Sequence, residues 1–594
     1  MLERPARDEV MTAAPLTPWR PPLFFAGVAL TMAALVALAA LALSPGGFGA
    51  VDVLLLALFA MTLPWYVIGF WNASIGLVLM RFARNPVAAV TPVAGRVRGD
   101  EPITASTAIV LCIRNEPPER VARLLTPMLA GLAARGVGER FHVYVLSDTS
   151  KPDIVAVEDA NFAALAAAWR GRIALTYRRR AQNTGFKAGN IADFCARWGK
   201  DHDFAIMLDA DSVITVDLVL KLVRIMQIDP RLGILQSLVI GMPSASAFAR
   251  IFQFGMRLGM RSYTLGSAWW QGDCGPYWGH NAIVRLAPFM AHCELPVLAD
   301  DALVKGHVLS HDQIEAVLMR RAGYEVRVLA EEGESFEQNP PTLVEFIRRD
   351  LRWCQGNMQY WHFLRLPGLP PVSRYQLIFA ILMFLGSPAW MGLLLIGSAA
   401  AAAAPTPADF MRFDAGMAVL LLVLAMWFAP NIATVVDVLS RPKLRYLFGG
   451  GLRFSISFLI TIFFVVLVTP IMWASHTLFL TRLLTGRTVG WGAQTRDDHE
   501  VPWSLAVSQF WPQTLIGLAP LVLLAAAAPS AIPYALLLAG GPLVSIPLAV
   551  VTAAPAAGRA LIAAGLDRLP EETLPPPVLR ALELPAIALS QRDR

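Results

Sequence analysis

Long charge-free stretches of the chain flank one long polar stretch. Residues 23–44 carry no charge, residues 51–80 carry only Asp52, and 377–401, 415–436 and 455–480 carry none apart from His476. The run 501–558 is uncharged throughout. An apolar run of about 20 residues is long enough to cross a bilayer as a helix. The segment 23–80 therefore reads as two crossings, 377–436 as two more, and 501–558 as two that turn near Pro529–Pro533. Residues 23–44 exceed the core of a signal peptide and read as a retained anchor. Positive loops stay on the cytoplasmic side. That rule puts the tail 1–22 (Arg4, Arg7, Arg20), the insert 85–372 (preceded by Arg81 and Arg84) and the tail 559–594 (Arg559, Arg568, Arg580) inside. The segment 437–500 is the exception. Arg441, Lys443, Arg445 and Arg453 precede the apolar run 455–480, and Arg482, Arg487 and Arg496 follow it. The run is too short for two crossings, so it is expected to lie at the interface or to re-enter, with a break at Pro470.

The insert 85–372 has the composition of a soluble domain, and its first half alternates strand and helix patterns. Thr107–Ile113 is β-branched and apolar and ends in Arg114-Asn115-Glu116-Pro117; Val121, Leu124, Leu125 and Met128 follow at helical spacing. His142–Leu146, Ile173–Tyr177 and Phe204–Leu208 read as three further strands. Strand, helix, strand in repetition predicts an α/β fold with a parallel, doubly wound sheet. Polar residues fall just past successive strands: Asn115 and Glu116, then Asp148, then Asp209. Ligands of open α/β sheets sit outside the carboxyl ends of the strands, so this spacing predicts a nucleotide crevice. Neither Gly-x-Gly-x-x-Gly nor a Walker-type loop follows the first strand, which argues against a dinucleotide enzyme and a P-loop ATPase.

The strand Phe204–Leu208 runs out into Asp209-Ala210-Asp211. Two carboxylates at that spacing are a poor core feature, because each needs a partner once buried. They suit a hard divalent cation: Mg²⁺ takes one or two carboxylates and completes its shell with water and phosphate oxygens. In Asn183-Thr184-Gly185-Phe186-Lys187-Ala188-Gly189-Asn190, glycines flank a single lysine. Lys187 either sets one ammonium against a diphosphate or is a solvated loop lysine. Ser310-x-x-Gln313 reads as a capping box, with Asp312 in the first helical turn and Gly323 ending the helix. Thr342-x-x-Glu345 reads as a second, opening a helix that carries Arg349 and Arg352 on one face. His307 and His311 lie at i,i+4, but His307 precedes the helix and no third ligand is near, so zinc is not expected.

Composition narrows the class. Charged residues make up 16%, against roughly 25% in soluble domains, and the mean hydropathy is +0.52. The net charge of +6 forms no basic stripe with interleaved aromatics, so nucleic acid is not a partner. The five cysteines (Cys112, Cys195, Cys274, Cys293, Cys354) include no Cys-x-x-Cys and fit free thiols in a reducing compartment. A transporter with a regulatory nucleotide domain should show repeat-like membrane halves and intramembrane charges; the spans are split unevenly around the insert and hold almost none.

Asp148, Lys187-Ala188-Gly189-Asn190 and Asp209-Ala210-Asp211 resemble the nucleotide-sugar half of glycosyltransferase family 2. Gly272-Asp273-Cys274-Gly275-Pro276-Tyr277-Trp278-Gly279-His280-Asn281 resembles the family's acceptor-side loop. Ser310-His311-Asp312 stands in the place of Thr-Glu-Asp, and Arg349-x-x-Arg352-Trp353 in the place of Gln-x-x-Arg-Trp of processive synthases. Gly306-His307-x-Leu309-Ser310-His311-Asp312 with Arg352-Trp353-Cys354-Gln355-Gly356-Asn357 is similar to the branch that makes osmoregulated periplasmic glucans. The resemblance covers residues 20–555 and implies a glycosyltransferase-A-type, Rossmann-like cytoplasmic domain in an all-helical polytopic membrane domain. It implies an inner-membrane, processive, inverting hexosyltransferase that uses UDP-glucose and Mg²⁺ or Mn²⁺, builds a β-glucan with β-1,2 linkage, moves it across the membrane and is helped by acyl carrier protein and periplasmic glucan-processing proteins. The alternative within the class is another β-glycan synthase, such as a cellulose synthase; no cyclic-dinucleotide barrel is expected in the short segment 559–594. By the same resemblance Asp312 is the catalytic base. Asn115, Glu116, Asp148, Lys187, Asp209, Asp211 and Arg352 would hold the donor, with Asp209 and Asp211 on the metal. Gly279, His280, Asn281 and Trp353 would hold the acceptor. Gly486-Arg487-x-x-Gly490-Trp491-x-x-Gln494-x-Arg496 resembles a gating loop, with Trp491, Gln494 and Arg496 its contacts. Arg349 departs from the family's glutamine, which leaves that glutamine's acceptor contact without its usual residue.

Overall fold

The computed structural model describes residues 17–45, 47–299, 304–488 and 496–582. Seven strands form the central sheet of the insert: β1 (Thr107–Ile113), β2 (Phe141–Ser147), β3 (Ala174–Arg179), β4 (Phe204–Asp209), β5 (Leu232–Ser237), β6 (Ala282–Arg285) and β7 (Glu325–Leu329). Their order is β7-β5-β6-β4-β1-β2-β3. All are parallel to their neighbours except β6, which runs antiparallel to both β4 and β5. The purely parallel sheet expected from the alternation is therefore mixed. Chain reversal at Gly279 (φ 78°) and Asn281 (φ 49°) feeds β6 from the carboxyl edge of its neighbours. The chain winds outward from β1 on one side and returns through β4 on the other, so the order switches at the β1/β4 boundary. There the register sets Cys112 beside Asp209.

Alternation along the strands builds two cores. Ile109, Leu111, Val143, Val145, Ile206 and Leu208 point to one face, against Leu125 and Leu129 of helix Pro118–Ala134 and Leu222 and Val223 of helix Val216–Ile228. Ala108, Val110, Tyr144, Leu146, Ala205 and Met207 point to the other. That second core continues through helix Asp312–Arg321 into Leu377, Ile381 and Phe384 of helix Pro371–Ala403 and Phe479, Leu480 and Leu483 of helix Gly451–Leu484. One apolar cluster thus joins the sheet to the membrane helices.

Helix Ala247–Gln271 makes a second junction. It is amphipathic and crosses helix Ala50–Phe82 at very short range: a Cβ on Gly266 would lie 1.9 Å from the Asn72 carbonyl oxygen. Trp270 donates its indole N–H to Asn72 Oδ1 at 2.9 Å. Small residues at such crossings let backbones approach closely.

Among the described residues, five helices are long and apolar enough to cross a membrane: Arg20–Ala42, Ala50–Phe82, Pro371–Ala403, Gly451–Leu484 and Trp503–Ala527. Two bent pairs also pass that test together, Phe413–Trp427 with Ala429–Ser440 at 60° and Pro529–Leu543 with Ser545–Ala553 at 55°. Pro430, just past the first bend, lacks the donor a continuous helix needs there. The expected break at Pro470 is corrected: helix Gly451–Leu484 runs through it for 34 residues, roughly 51 Å at 1.5 Å per residue. Packed neighbours let an apolar helix carry a proline, and Val468, Ile471 and Met472 pack against Leu343, Val344 and Ile347.

Both ends of this helix touch the α/β unit and its attached segments. Near its start, Phe454 meets Phe254 at 5.8 Å and Ser457 Oγ accepts from the Asp567 N–H at 2.8 Å. Near its end, Leu483 lies in the cluster of Ile314 and Val317. These contacts predict that residues 450 and 488 lie on one side of the membrane. Cysteines introduced singly at Gly450 and Thr488 should react alike with an impermeant maleimide in sealed vesicles; labelling from opposite sides would mean that the helix crosses.

Candidate functional site

The carboxyl ends of β1, β2 and β4 open into a cavity of about 690 Å³. Asp209 ends β4, and the turn after it is closed by Ser212, whose Oγ accepts from the Asp209 N–H at 2.9 Å. Lys187 is the second residue of helix Phe186–Trp198, which starts from Gly185 in the left-handed region (φ 70°). That start aims the Lys187 ammonium at the Asp209 carboxylate and at the Gly279 carbonyl, 2.7 Å away. Lys187 is therefore a fixed charge of the site and no solvated loop lysine. Burial disfavours both charges, but Lys187, His280 and Arg496 outweigh it and hold Asp209 down at about 2. For Lys187 the same contest, burial against Asp209, ends with its pKa raised.

Asp211 is buried and meets Arg496 Nη1 at 3.0 Å. Burial works against the Arg496 charge, yet Asp211, Glu116, Asp209 and Glu337 together raise its pKa. Glu116 lines the cavity and accepts from the Arg114 backbone N–H; burial pushes its pKa up against the pull of Arg496. Of the other two expected loop contacts, Trp491 and Gln494 lie outside the described residues. Asp148 also lines the cavity, held by a two-point grip from Arg180 Nε and Nη2, both at 2.7 Å. Arg180 also donates to the carbonyls of Thr184 and Phe186, so it fixes the Lys187 loop to β2. No spacing in the sequence singles it out.

The acceptor-side residues divide. A Cβ on Gly279 would lie 3.2 Å from Asp312 Cβ, so this left-handed glycine lets Asp312 sit against the loop. His280 lines the cavity with Nε2 3.5 Å from Glu337 Oε2. Asn281 is corrected: it is fully buried and donates to Ser335 Oγ (2.8 Å) and the Phe336 carbonyl (3.2 Å), so it braces the loop and lies outside the cavity lining. Asn115 is corrected likewise. Its Oδ1 accepts from the Ser150 and Lys151 N–H groups at 2.9 and 3.0 Å, which ties the ends of β1 and β2 together outside the cavity lining.

Asp312 is the first residue of helix Asp312–Arg321 and lines the cavity. It thus stands at the positive end of that helix's dipole. The expected Ser310-x-x-Gln313 capping box does not form: His311 is the N-cap residue, and Gln313 donates to Gln376 Oε1 at 3.3 Å. His311 instead pairs with Glu315 at 2.9 Å, the ordinary partner of a buried imidazole. The second box is half present, since Thr342 Oγ1 accepts from the Glu345 N–H at 3.3 Å. Helix Leu343–Met358 then brings Arg349, Arg352 and Trp353 to the cavity. Burial first, and Arg349 second, lower the Arg352 pKa to about 10, so it stays a cation at neutral pH. The Arg349 guanidinium lies 4.7 Å above the Trp353 ring.

No group of three or more His, Cys, Asp and Glu side chains among the described residues is arranged to hold a metal alone. Asp209 and Asp211 at one strand end fit the smaller demand of a cation that shares its shell with phosphates.

The cavity thus lies at the switch point of a doubly wound sheet, with two carboxylates at the end of β4 and a third on a helix N-terminus. The profile of Glycosyl transferase family group 2 matches residues 204–539 and that of Glycosyl transferase family 2 matches residues 108–292, and the chain belongs to this family. It is similar to "Glucans biosynthesis glucosyltransferase H" of Pseudomonas paraeruginosa (strain DSM 24068 / PA7), 35% identical over 545 residues, 89% of this chain and 63% of that protein. It is also similar to the protein of that name in Xanthomonas campestris pv. campestris (strain B100), 34% identical over 560 residues, 91% of this chain and 85% of the other. The chain thus spans under two thirds of the Pseudomonas relatives it matches. A solved structure, mannosyltransferase PcManGT from Pyrobaculum calidifontis with GDP-Man and Mn²⁺, overlaps 62% of this chain and 99% of its own at 16% identity and a TM-score of 0.37.

The Gly279 turn is the joint between the two halves of the site. Gly279→Ala forces a side chain into the left-handed region and a methyl against Asp312, and should destabilise the protein by at least about 1 kcal/mol. Thermal unfolding of the detergent-purified protein should show the melting temperature fall; an unchanged value would mean that the loop and the Asp312 helix are not tightly joined.

Proposed function

We propose that the chain is an inner-membrane glucosyltransferase that extends a β-glucan from UDP-glucose with inversion at the anomeric carbon, its α/β domain facing the cytoplasm. The observation that carries this reading is one cavity lined by Asp209 and Asp211, Asp312, and Arg352 with Trp353. The names of the relatives support glucose as the transferred sugar. Asp312, at its helix N-terminus, accepts the proton of the acceptor hydroxyl as that oxygen attacks the anomeric carbon. The bond from that carbon to the diphosphate oxygen breaks on the opposite face, and UDP leaves with the bonding pair. Arg352 meets the growing charge on the diphosphate with a planar fork of donors, and Lys187 keeps Asp209 ionised and aimed. Asp209 and Asp211 would hold Mg²⁺ or Mn²⁺, which neutralises phosphate charge as the leaving group forms. Trp353 gives the acceptor ring a flat apolar surface.

A second cavity of about 310 Å³ supports an exit for the product through the membrane helices. It shares Phe379 and Met383 with the first and is walled by Trp65, Trp390 and Trp473. The Trp390 and Trp473 rings stack at 4.8 Å, and sugar rings lie well on such faces.

Asp312→Asn removes the proton acceptor and keeps the shape. UDP binding should persist while UDP release from UDP-glucose falls by at least about 10²-fold, the usual scale of general-base effects. A mutant that loses UDP binding would instead give Asp312 a structural role. The linkage has its own test: glucan made from labelled UDP-glucose by membranes carrying the chain should resist a β-1,4-specific cellulase, and complete digestion would favour a cellulose synthase.

A further inference from the structure

Arg349 stands where the resembling synthases carry glutamine, and Glu337 and His280, from other parts of the chain, line the same cavity. Glu337 ends the short strand Ser335–Glu337, which pairs antiparallel with Val213–Ile214 just after Asp211. That register carries Glu337 to the rim of the acidic edge, where it lines the cavity. His280 Nε2 lies 3.5 Å from Glu337 Oε2, while His280 Nδ1 is buried with no hydrogen-bond partner among the described residues. Arg349 Nε is buried and unpartnered in the same way, and Glu337 is the foremost charge that stabilises its cation against burial. Burial also pushes the Glu337 pKa up, against His280 and Arg349.

His280, Glu337 and Arg349 all line the cavity, and polar groups gathered on a cavity wall are shaped for a ligand that hydrogen-bonds to them. A carboxylate at the centre of the group, close to Asp209 and Asp211, repels phosphate. A neutral polyhydroxyl ligand suits it: hydroxyls donate to Glu337, accept from Arg349, and pair with the His280 ring as donor or acceptor according to its tautomer. Arg349 also lies over Trp353, so a ring resting on that indole presents its edge to the same groups. His280 directly follows Gly279, the residue against Asp312, which places this cluster on the attacking side of the site.

We propose that Glu337, His280 and Arg349 form a hydroxyl-reading cluster for the terminal glycosyl residue of the acceptor, and that Arg349 with Glu337 takes the place of the family's glutamine. The cluster selects a neutral, unsubstituted sugar and leaves recognition of the diphosphate to Arg352 and the acidic pair. This inference rests on the transferase reading above.

The test uses the full chain in lipid nanodiscs with UDP-glucose, Mg²⁺ and size-defined β-glucan oligosaccharides as added acceptors. Glu337→Gln and Arg349→Gln should each raise the KM for the acceptor at least tenfold and leave the KM for UDP-glucose within twofold. The double variant should do little more than the worse single one, because the two act on one ligand. A rise in the donor KM with an unchanged acceptor KM would overturn the proposal, and so would a fall in kcat and melting temperature with both KM values unchanged. If either variant does not fold, His280→Gln reads the same cluster and must raise the acceptor KM. A wild-type protein that releases no UDP from UDP-glucose would defeat the transferase reading itself, an outcome distinct from either of those.

Discussion

The Lys187 ammonium is the point on which the site depends. It touches the Asp209 carboxylate at the end of β4 and the carbonyl of Gly279 in the loop before β6. These two contacts join segments that the sequence keeps far apart. The pair is only partly exposed, with side chains 21% and 34% accessible, so neither charge is strongly screened. Removing a partner from such a pair strands the other, which makes the geometry more demanding than a surface ion pair would be. The Gly279 turn then brings Asp312 into place, because only glycine leaves room for it there. Donor side and acceptor side are fixed to each other through one lysine and one glycine.

The sheet explains why this cavity stands beside the membrane. One face of β1, β2 and β4 is closed by ordinary crossover helices. The other face shares its core with helices Pro371–Ala403 and Gly451–Leu484. Helix Ala247–Gln271, within the polar insert, is locked onto helix Ala50–Phe82 by Gly266 against Asn72. The α/β unit therefore shares its core with the apolar helices, and the cavity opens toward the helices that line the second one through Phe379 and Met383.

What could be read from the sequence was local. Thr107–Ile113 and Phe204–Leu208 declared themselves by apolar runs, and the structure places strands at Thr107–Ile113 and Phe204–Asp209. Asp209, Asp211, Asp148 and Glu116 follow strand ends, so their convergence needed only the parallel topology. Long-range geometry was not legible. Asn281 sits inside a recognisable loop, but its inward turn depends on Ser335 and Phe336, more than fifty residues away. Glu337 belongs to a three-residue strand too short for any period to show. Ser310 has the right spacing for a cap, yet its neighbour His311 takes that position and Ser310 packs against Gly356, where a Cβ would lie 2.1 Å from its Oγ. Pro470 suggested a break because a lone proline removes a hydrogen bond, but the helix continues through it among surrounding contacts.

The charges in the cavity bear on how a donor enters. Each of the two carboxylates at the end of β4 already faces a protein cation, Lys187 on Asp209 and Arg496 on Asp211. The two cations differ in what holds them. Lys187 is carried by a helix that packs into the sheet core through Ile191 and Phe194. Arg496 is carried by the loop between helices Gly451–Leu484 and Trp503–Ala527. A cation with its diphosphate can replace an arginine on a loop at little structural expense, whereas replacing Lys187 would disconnect Asp209 from Gly279. On the proposed reading Asp211 is thus the carboxylate that exchanges its partner when donor arrives, and Asp209 the one that does not. Arg496, once released from Asp211, remains within the field of Glu116 and Glu337 and close to the incoming phosphates. On that reading the same guanidinium neutralises the acidic edge before the donor arrives and faces the diphosphate afterwards.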